Sequence, residues 1–394
     1  MKPGPGLVTV PGNRLTLLTN GTDYFPALEA ALDAATTEVF LETYIFANDA
    51  TGRRIAAALI RAASRGVAVH VLIDGFGVHS YPWPELLPIL KEGGVRAFVF
   101  RPKVSPLTLR RTRLRRMHRK VVVIDGRVGF VGGINVIDDM ETPRQVPPRY
   151  DYAVRVEGPL LADMHAEVVR LWQVVLWTQL GKRVPYEPAS SPVTAAAGTQ
   201  RAAFVVRDSF RHRSDIEDAY LAAIAGAQRE IVIACAYFFP GRHFRRALRE
   251  AARRGVRVVL LLQGRIEYLI MHYASRALYG TFLRWGIEIH EYRKSFLHAK
   301  VAVIDGTWAT VGSSNIDPFS LLLAREANIV VDDAGFAGEL HASLDSALRE
   351  GATRLERSDW RKQSWAKRVL MWLFYGVARV MTGMSGYART NEFD

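Results

Sequence analysis

The sequence predicts an α/β protein built from two tandem copies of one layered unit, related by a pseudo-two-fold axis. Two observations carry this. The first is an internal repeat: MHRKVVVIDGRVGFVGGIN (117–135) returns as LHAKVAVIDGTWATVGSSN (297–315), at a constant offset of 180 residues. A fixed-offset match of that length marks a duplicated structural unit. The second is the alternation of helical patterns with short, continuously apolar runs, which is how strands read when helices cover both faces of a sheet.

The first copy runs from about 7 to 185. EVFLETYIF (38–46) reads as a strand. RAASRGVAVHVLIDG (61–75) reads as a helix end, a stop at Gly66 and a buried strand, and GGVRAFVF (93–100) as a further strand. Glycine suits the left-handed residue that ends a helix. Residues 186–200, rich in Pro, Ala and Ser, read as a linker. The second copy, about 201–350, repeats the order as EIVIACAYFF (230–239), EAARRGVRVVLLLQG (250–264, with Gly255) and WGIEIHEY (285–292). Residues 351–394 form a basic, aromatic tail. A duplicated unit most simply packs face to face, which brings equivalent residues together near the axis.

At 394 residues the chain has room for two or three domains. The lone Cys235 excludes a disulfide framework and a cysteine-built zinc site, and within IVIACAYFF it reads as a small core residue. The first residues, MKPGPGLVTVPGNR, hold no apolar core of signal-peptide type. The apolar run VLMWLFYGVA (369–378) is about half of the roughly 20 residues that span a bilayer. An integral spanning protein is therefore not expected. The 52 basic and 39 acidic residues give a net charge of +13. That balance favours a polyanionic partner, nucleic acid or an anionic membrane surface.

The repeated block carries the chemistry. Each copy reads strand, Asp-Gly turn, strand. In extended chain, residues i and i+2 face the same way, so His118 sits beside Lys120 and His298 beside Lys300. Ammonium groups are seldom buried unless paired, and the pair recurs in both halves with Asn135 and Asn315 at the same spacing. These groups suit phosphoryl or phosphatidyl transfer. The lysines and asparagines would hold the phosphodiester oxygens. Small residues, Gly132, Gly133, Ser313 and Ser314, would let phosphate approach the backbone. One neutral His would attack phosphorus while the other protonates the leaving alcohol. The assignment preferred here is His118 as nucleophile and His298 as acid/base. The scheme requires no metal and no cofactor.

The duplicated HxKx4Dx6G[GS]xN pattern resembles the signature of the phospholipase D superfamily. The resemblance extends over nearly the whole chain to about residue 350. It implies two α/β/α sandwich domains, one active site at their interface and a phosphohistidine intermediate. It carries the motif roles onto His118, Lys120, Asn135, His298, Lys300 and Asn315. It also implies a downstream acid orienting each His; Asp151, 33 residues past His118, and Glu326, 28 past His298, are the matching positions. Asp125 and Asp305, which open the two turns, read as structural. Within the superfamily, ETYIFANDATGRRIAAAL, VEGPLLADMHAEVVRLWQ and GSSNIDPFSLLLAREANIVV resemble bacterial cardiolipin synthases, of the shorter, peripheral kind without N-terminal membrane helices.

Nine of residues 101–120 are Lys or Arg. Arg110, Arg111, Arg113, Arg115 and Arg116 form a cluster suited to anionic headgroups and, equally, to nucleic-acid phosphates. The tail, with Trp365 and Trp372 amid basic residues and a short apolar run, favours a membrane surface. The expected activity is a phosphatidyltransferase of phospholipid biosynthesis acting at the cytoplasmic face of a bacterial membrane. Its substrate would be phosphatidylglycerol and its product cardiolipin. A phospholipase D or a nuclease of the same superfamily is the alternative. Oligomeric state is left open.

Overall fold

The computed structural model describes residues 7–80, 85–102, 115–142, 146–181, 185–208, 211–266, 269–317, 320 and 324–384. The first half contains β1 (Val10–Thr19), α1 (Asn20–Asp33), β2 (Glu38–Thr43), α2 (Ala50–Ser64), β3 (Ala68–Asp74), α3 (Gly75–Ser80), α4 (Leu86–Glu92), β4 (Arg96–Phe100), β5 (Lys120–Ile124), β6 (Val128–Gly132), β7 (Tyr152–Glu157) and α5 (Leu161–Leu180). The second contains β8 (Gln200–Arg207), α6 (Asp215–Gly226), β9 (Glu230–Cys235), α7 (Arg242–Arg253), β10 (Arg257–Gln263), α8 (Leu269–Ala277), α9 (Tyr279–Arg284), β11 (Glu288–Tyr292), β12 (Lys300–Ile304), β13 (Trp308–Gly312), β14 (Glu326–Asp332) and α10 (Ala334–Gly351). β15 (Ala352–Arg354), α11 (Arg357–Arg361) and α12 (Trp365–Met384) follow.

The described strands form one mixed sheet ordered β15-β11-β10-β9-β12-β13-β14-β8-β1-β7-β6-β5-β2-β3-β4. Read outward from the β1–β8 junction, the two halves have the same order, so the sequence repeat is a repeat of topology. In each half the outer strands are parallel: β2-β3-β4 and β9-β10-β11. β3 and β10, the middle strand of each trio, are buried almost throughout because helices cover both sides. Gly66 and Gly255 end α2 and α7, each at φ +89°. Cys235 is buried among the apolar side chains beneath the helices of the second half.

The expected face-to-face packing of the motif hairpins is present, with β6 and β7 lying against β13 and β14, and an edge contact is added to it. The halves also join edge to edge, with β1 antiparallel to β8 through Val10↔Ala202 and Asn13↔Gln200. Pairing the two edges leaves neither open to solvent. One core runs through both halves, from Leu15, Val154 and Trp172 to Val301, Ile329 and Leu344. Two short parallel bridges tie the halves where the motif hairpins begin, Met117↔Arg325 and Tyr150↔Leu297.

Candidate active site

The hairpins position the site. Asp125 and Gly126 both have positive φ (53° and 61°), as do Asp305 and Gly306 (53° and 69°), the geometry of a tight hairpin turn. Each aspartate also reaches beyond its hairpin. Asp125 accepts from the N–H groups of Thr36, Thr37 and Glu38, each at 2.8 Å. Asp305 accepts from Gln228, Arg229 and Glu230. The turn is thereby clamped to the start of β2 or β9, and these hydrogen bonds hold both carboxyls below their usual range despite partial burial.

At the other end, β5 and β12 begin at the motif lysines, and His118 and His298 lie just outside. His118 N–H donates to Arg325 O (2.9 Å) and His298 N–H to Tyr150 O (2.8 Å). Each His is thus seated on the chain that precedes an acid of the opposite half. The acids follow suit. His118 Nδ1 lies 3.0 and 3.1 Å from the two carboxylate oxygens of Glu326, and His298 Nδ1 lies 2.7 Å from Asp151 Oδ2. This corrects the sequence-based pairing, in which each acid served the His of its own half. The crossing follows from the interface: β7 and β14 begin beside the partner hairpin, so an acid at either start reaches across. With Nδ1 engaged by a carboxylate, Nε2 is the nitrogen left to the cleft.

Both lysines are buried. Lys120 Nζ donates to His118 O at 2.6 Å, and Lys300 Nζ to His298 O. Burial first, and the Lys300 ammonium second, push Lys120 down to about 7. Burial also pushes Asp151 up to about 6. Both imidazoles are driven toward the neutral form, first by burial. At His118 the Glu326 carboxylate opposes the shift, whereas at His298 Lys300 and Lys120 reinforce it.

Asn135 Oδ1 accepts from Ile45 N–H at 3.2 Å, and Asn315 Oδ1 from Tyr237 N–H at 3.4 Å. Their NH2 ends are then the groups available to a substrate oxygen. The site opens into a cleft of about 400 Å3 lined by both histidines, both asparagines and Asp151.

The small residues of the motifs fit the packing around the acids. A Cβ on Gly132 would lie 2.4 Å from Tyr152 O, and one on Gly133 would lie 2.3 Å from Asp151 Oδ1. They make room for β7 and for the acid. Ser313, in the place of Gly133, donates instead to Glu326 Oε2 at 2.5 Å. Ser314 is fully buried, with its hydroxyl on Asn315 O.

The basic cluster is also revised. Arg110, Arg111 and Arg113 lie outside the described residues. Arg116 is largely buried and pairs with Asp74 at 3.5 Å, which removes it from headgroup binding. Arg119, of the same run, is buried between Glu42 and Glu167. Arg115 is half-buried. Trp365 and Trp372 are exposed on α12. Three cleft residues were missed. Tyr44 packs edge-on against His118 at 4.7 Å, and Tyr237 lines the cleft from the second half at the place of Ile45; the strands 38–46 and 230–239 already held both. Arg149 has no counterpart in the second half and gave no signal. Its Nε is buried without a hydrogen-bond partner in the cleft wall.

Among the described residues, no group of three or more His, Cys, Asp or Glu side chains could hold a metal ion, and no helix is long and apolar enough to cross a membrane.

The family described as cardiolipin synthase, PLD-like domain, matches residues 28–172 and 220–348. The chain belongs to this family. Cardiolipin synthase B of Shigella flexneri is 38% identical over 363 residues, covering 90% of this chain and 85% of that one. Cardiolipin synthase B of Salmonella typhi is 40% identical over 359 residues, with the same coverage. A probable cardiolipin synthase of Bacillus subtilis is 30% identical, covering 93% and 72%. Phosphatidylserine synthase of Haemophilus influenzae shares the fold with a TM-score of 0.71 at 11% identity, over 96% of this chain and 97% of that one. The protein is a phosphatidyltransferase of the phospholipase D superfamily, of the cardiolipin synthase type.

Proposed function

We propose that the chain makes cardiolipin from phosphatidylglycerol through a phosphohistidine intermediate, at the cytoplasmic face of a bacterial membrane. The observation that carries this reading is the crossed site: two histidines, each with Nδ1 on a carboxylate, opening on one cleft. His118 Nε2 attacks phosphorus as the bond to the headgroup glycerol breaks, and His298 gives that alkoxide its proton. The 3-hydroxyl of a second phosphatidylglycerol's glycerol then gives its proton to His298 and attacks. The P–N bond breaks and cardiolipin leaves. Glu326 makes His118 the more basic and hence the more nucleophilic imidazole. His298, driven further toward neutrality, hands over a proton more readily once it carries one. Lys120, Lys300, Asn135 and Asn315 hold the non-bridging oxygens as negative charge develops.

Arg149 favours transfer over hydrolysis. The acceptor lipid brings its own phosphate, and the Arg149 guanidinium, held in the cleft wall over the Phe296 ring at 5.2 Å, is a cation placed to receive it. The test is purified protein with labelled phosphatidylglycerol in mixed micelles, products resolved by chromatography and mass spectrometry. Cardiolipin with glycerol is the expected outcome; phosphatidic acid alone would overturn transfer in favour of a phospholipase.

A further inference from the structure

A second cleft, of about 220 Å3, lies beneath the tail, between α9, α11 and α12. Its wall includes Arg284, Arg357 and Arg368 together with Trp360 and Trp372. Among the described residues none of the three guanidinium groups has a carboxylate partner; Arg284 donates only to Thr281 Oγ1, at 2.9 Å. Three like charges gathered around a concavity repel one another unless an anion joins them. Trp360 is fixed in place: its indole packs on Gly280, where a Cβ would meet Nε1 at 2.7 Å, and its ring lies 5.5 Å from Tyr279.

The helix above this cleft is apolar on two sides. Met371 and Ala378 are buried against the second half, with Phe374 stacked on Tyr273 and Tyr375 edge-on to Phe239. Trp365, Val369, Trp372, Leu373 and Val380 are all exposed. They recur at one-turn and two-turn spacing, so they form a single outward stripe, and Arg368 borders it on the side of the cleft. An apolar stripe edged by Trp and Arg is the geometry of a helix lying in a membrane interface.

We infer that this cleft is a non-catalytic site for the phosphate headgroup of an anionic phospholipid still in its bilayer. The arginines hold the phosphate while the stripe sits among the acyl chains. The inference rests on the membrane-surface reading proposed above and adds a specific receptor to it.

The test compares the wild type with the R284Q/R357Q/R368Q variant in sedimentation with phosphatidylcholine vesicles, with and without phosphatidylglycerol. The wild type should bind the anionic vesicles. The variant should lose about fivefold in partitioning per arginine, ~100-fold in all, while its turnover of micellar substrate stays unchanged. Should the triple variant fail to fold, R368E on the exposed helix surface carries the same test. Equal binding by wild type and variant overturns the site alone. A wild type that ignores anionic vesicles overturns the site and the membrane reading together. Displacement of the protein from vesicles by soluble glycerol phosphate would assign the cleft to a free anion and overturn the lipid.

Discussion

Glu326 Oε1 lies 3.0 Å from His118 Nδ1, although 208 residues separate the two in sequence. With Asp151 on His298, neither half owns a complete His–acid pair, and the duplicated unit works only as a joined pair. The carboxylate fixes the tautomer and supports the imidazolium. E326Q should keep the fold, with Tm little changed, and lose roughly 10²–10⁴ in kcat. Rapid-quench measurement should show slowed formation of the phosphoenzyme. Formation at the wild-type rate would assign Glu326 a purely structural role.

The pH profile follows from two shifted groups. Asp151, raised to about 6 by burial, must be ionised to support His298, so activity rises with pH through that value. Lys120, lowered to about 7, loses its charge above that value, so activity then falls. The free enzyme should therefore give a narrow bell in kcat/KM, with limbs belonging to the coupled cluster. In K120R the cation persists and the alkaline limb should flatten, even if the maximum is lower. A wild-type profile flat from pH 6 to 8 would contradict both assignments.

Lys120 also burdens the fold. Its pKa is lower in the folded state than in the unfolded one, so below about pH 7 the native protein carries the full cost of a buried ammonium. Between about 7 and 10.5 the native state sheds that proton first, and the penalty fades. K120M should be inactive yet more stable than the wild type by ~1–4 kcal/mol. The gain should be largest at pH 6 and shrink by pH 9. Thermal unfolding at the two pH values checks it; a destabilised K120M would show that the amine's hydrogen bond to His118 O outweighs its burial.

What was legible in the sequence is what is local. The stops at Gly66 and Gly255, the buried β3 and β10, and the Asp-Gly hairpins each follow from a few adjacent residues, and the repeat confirmed each one twice. The pairing of acids with histidines was not local. It depends on how the halves meet, by the edge of β1 on β8 and by β6 and β7 lying against β13 and β14. Charge counting failed for a related reason. Arg116 and Arg119 look like their neighbours in a basic run, but each turns inward to a carboxylate far along the chain, Asp74 in one case and Glu42 with Glu167 in the other. Arg149 broke the symmetry that made everything else readable.

That asymmetry gives a prediction about product. R149Q removes the guanidinium and keeps all four residues of the His–acid pairs, although it also takes a positive charge away from Asp151 and His298. The KM for phosphatidylglycerol as acceptor should rise about tenfold, and phosphatidic acid should increase relative to cardiolipin as water competes for the intermediate. Single-turnover phosphoenzyme formation should be nearly unchanged. A parallel loss in both steps would place Arg149 on the reacting phosphate instead.

The two motifs also differ at one small residue, and the difference is testable by exchange. Gly133 leaves space that Asp151 fills, while Ser313 uses the same position to donate to Glu326. A longer acid with a hydroxyl to hold it replaces a shorter acid that needs the room. G133A places a methyl group 2.3 Å from Asp151 Oδ1, so the carboxylate must move and His298 loses its partner. The expected loss in kcat is ~10²-fold, with a lowered Tm. S313A keeps the Cβ and removes the hydroxyl, with its hydrogen bond to Glu326 and the one it accepts from Ala327 N–H at 3.1 Å. Its kcat should fall about tenfold with a modest drop in Tm, since a charge-assisted hydrogen bond and a buried backbone one are both lost. If G133A were as active as the wild type, the glycine would not be keeping space for the acid. If S313A were as active, Glu326 would not need the hydroxyl to stay aligned with His118.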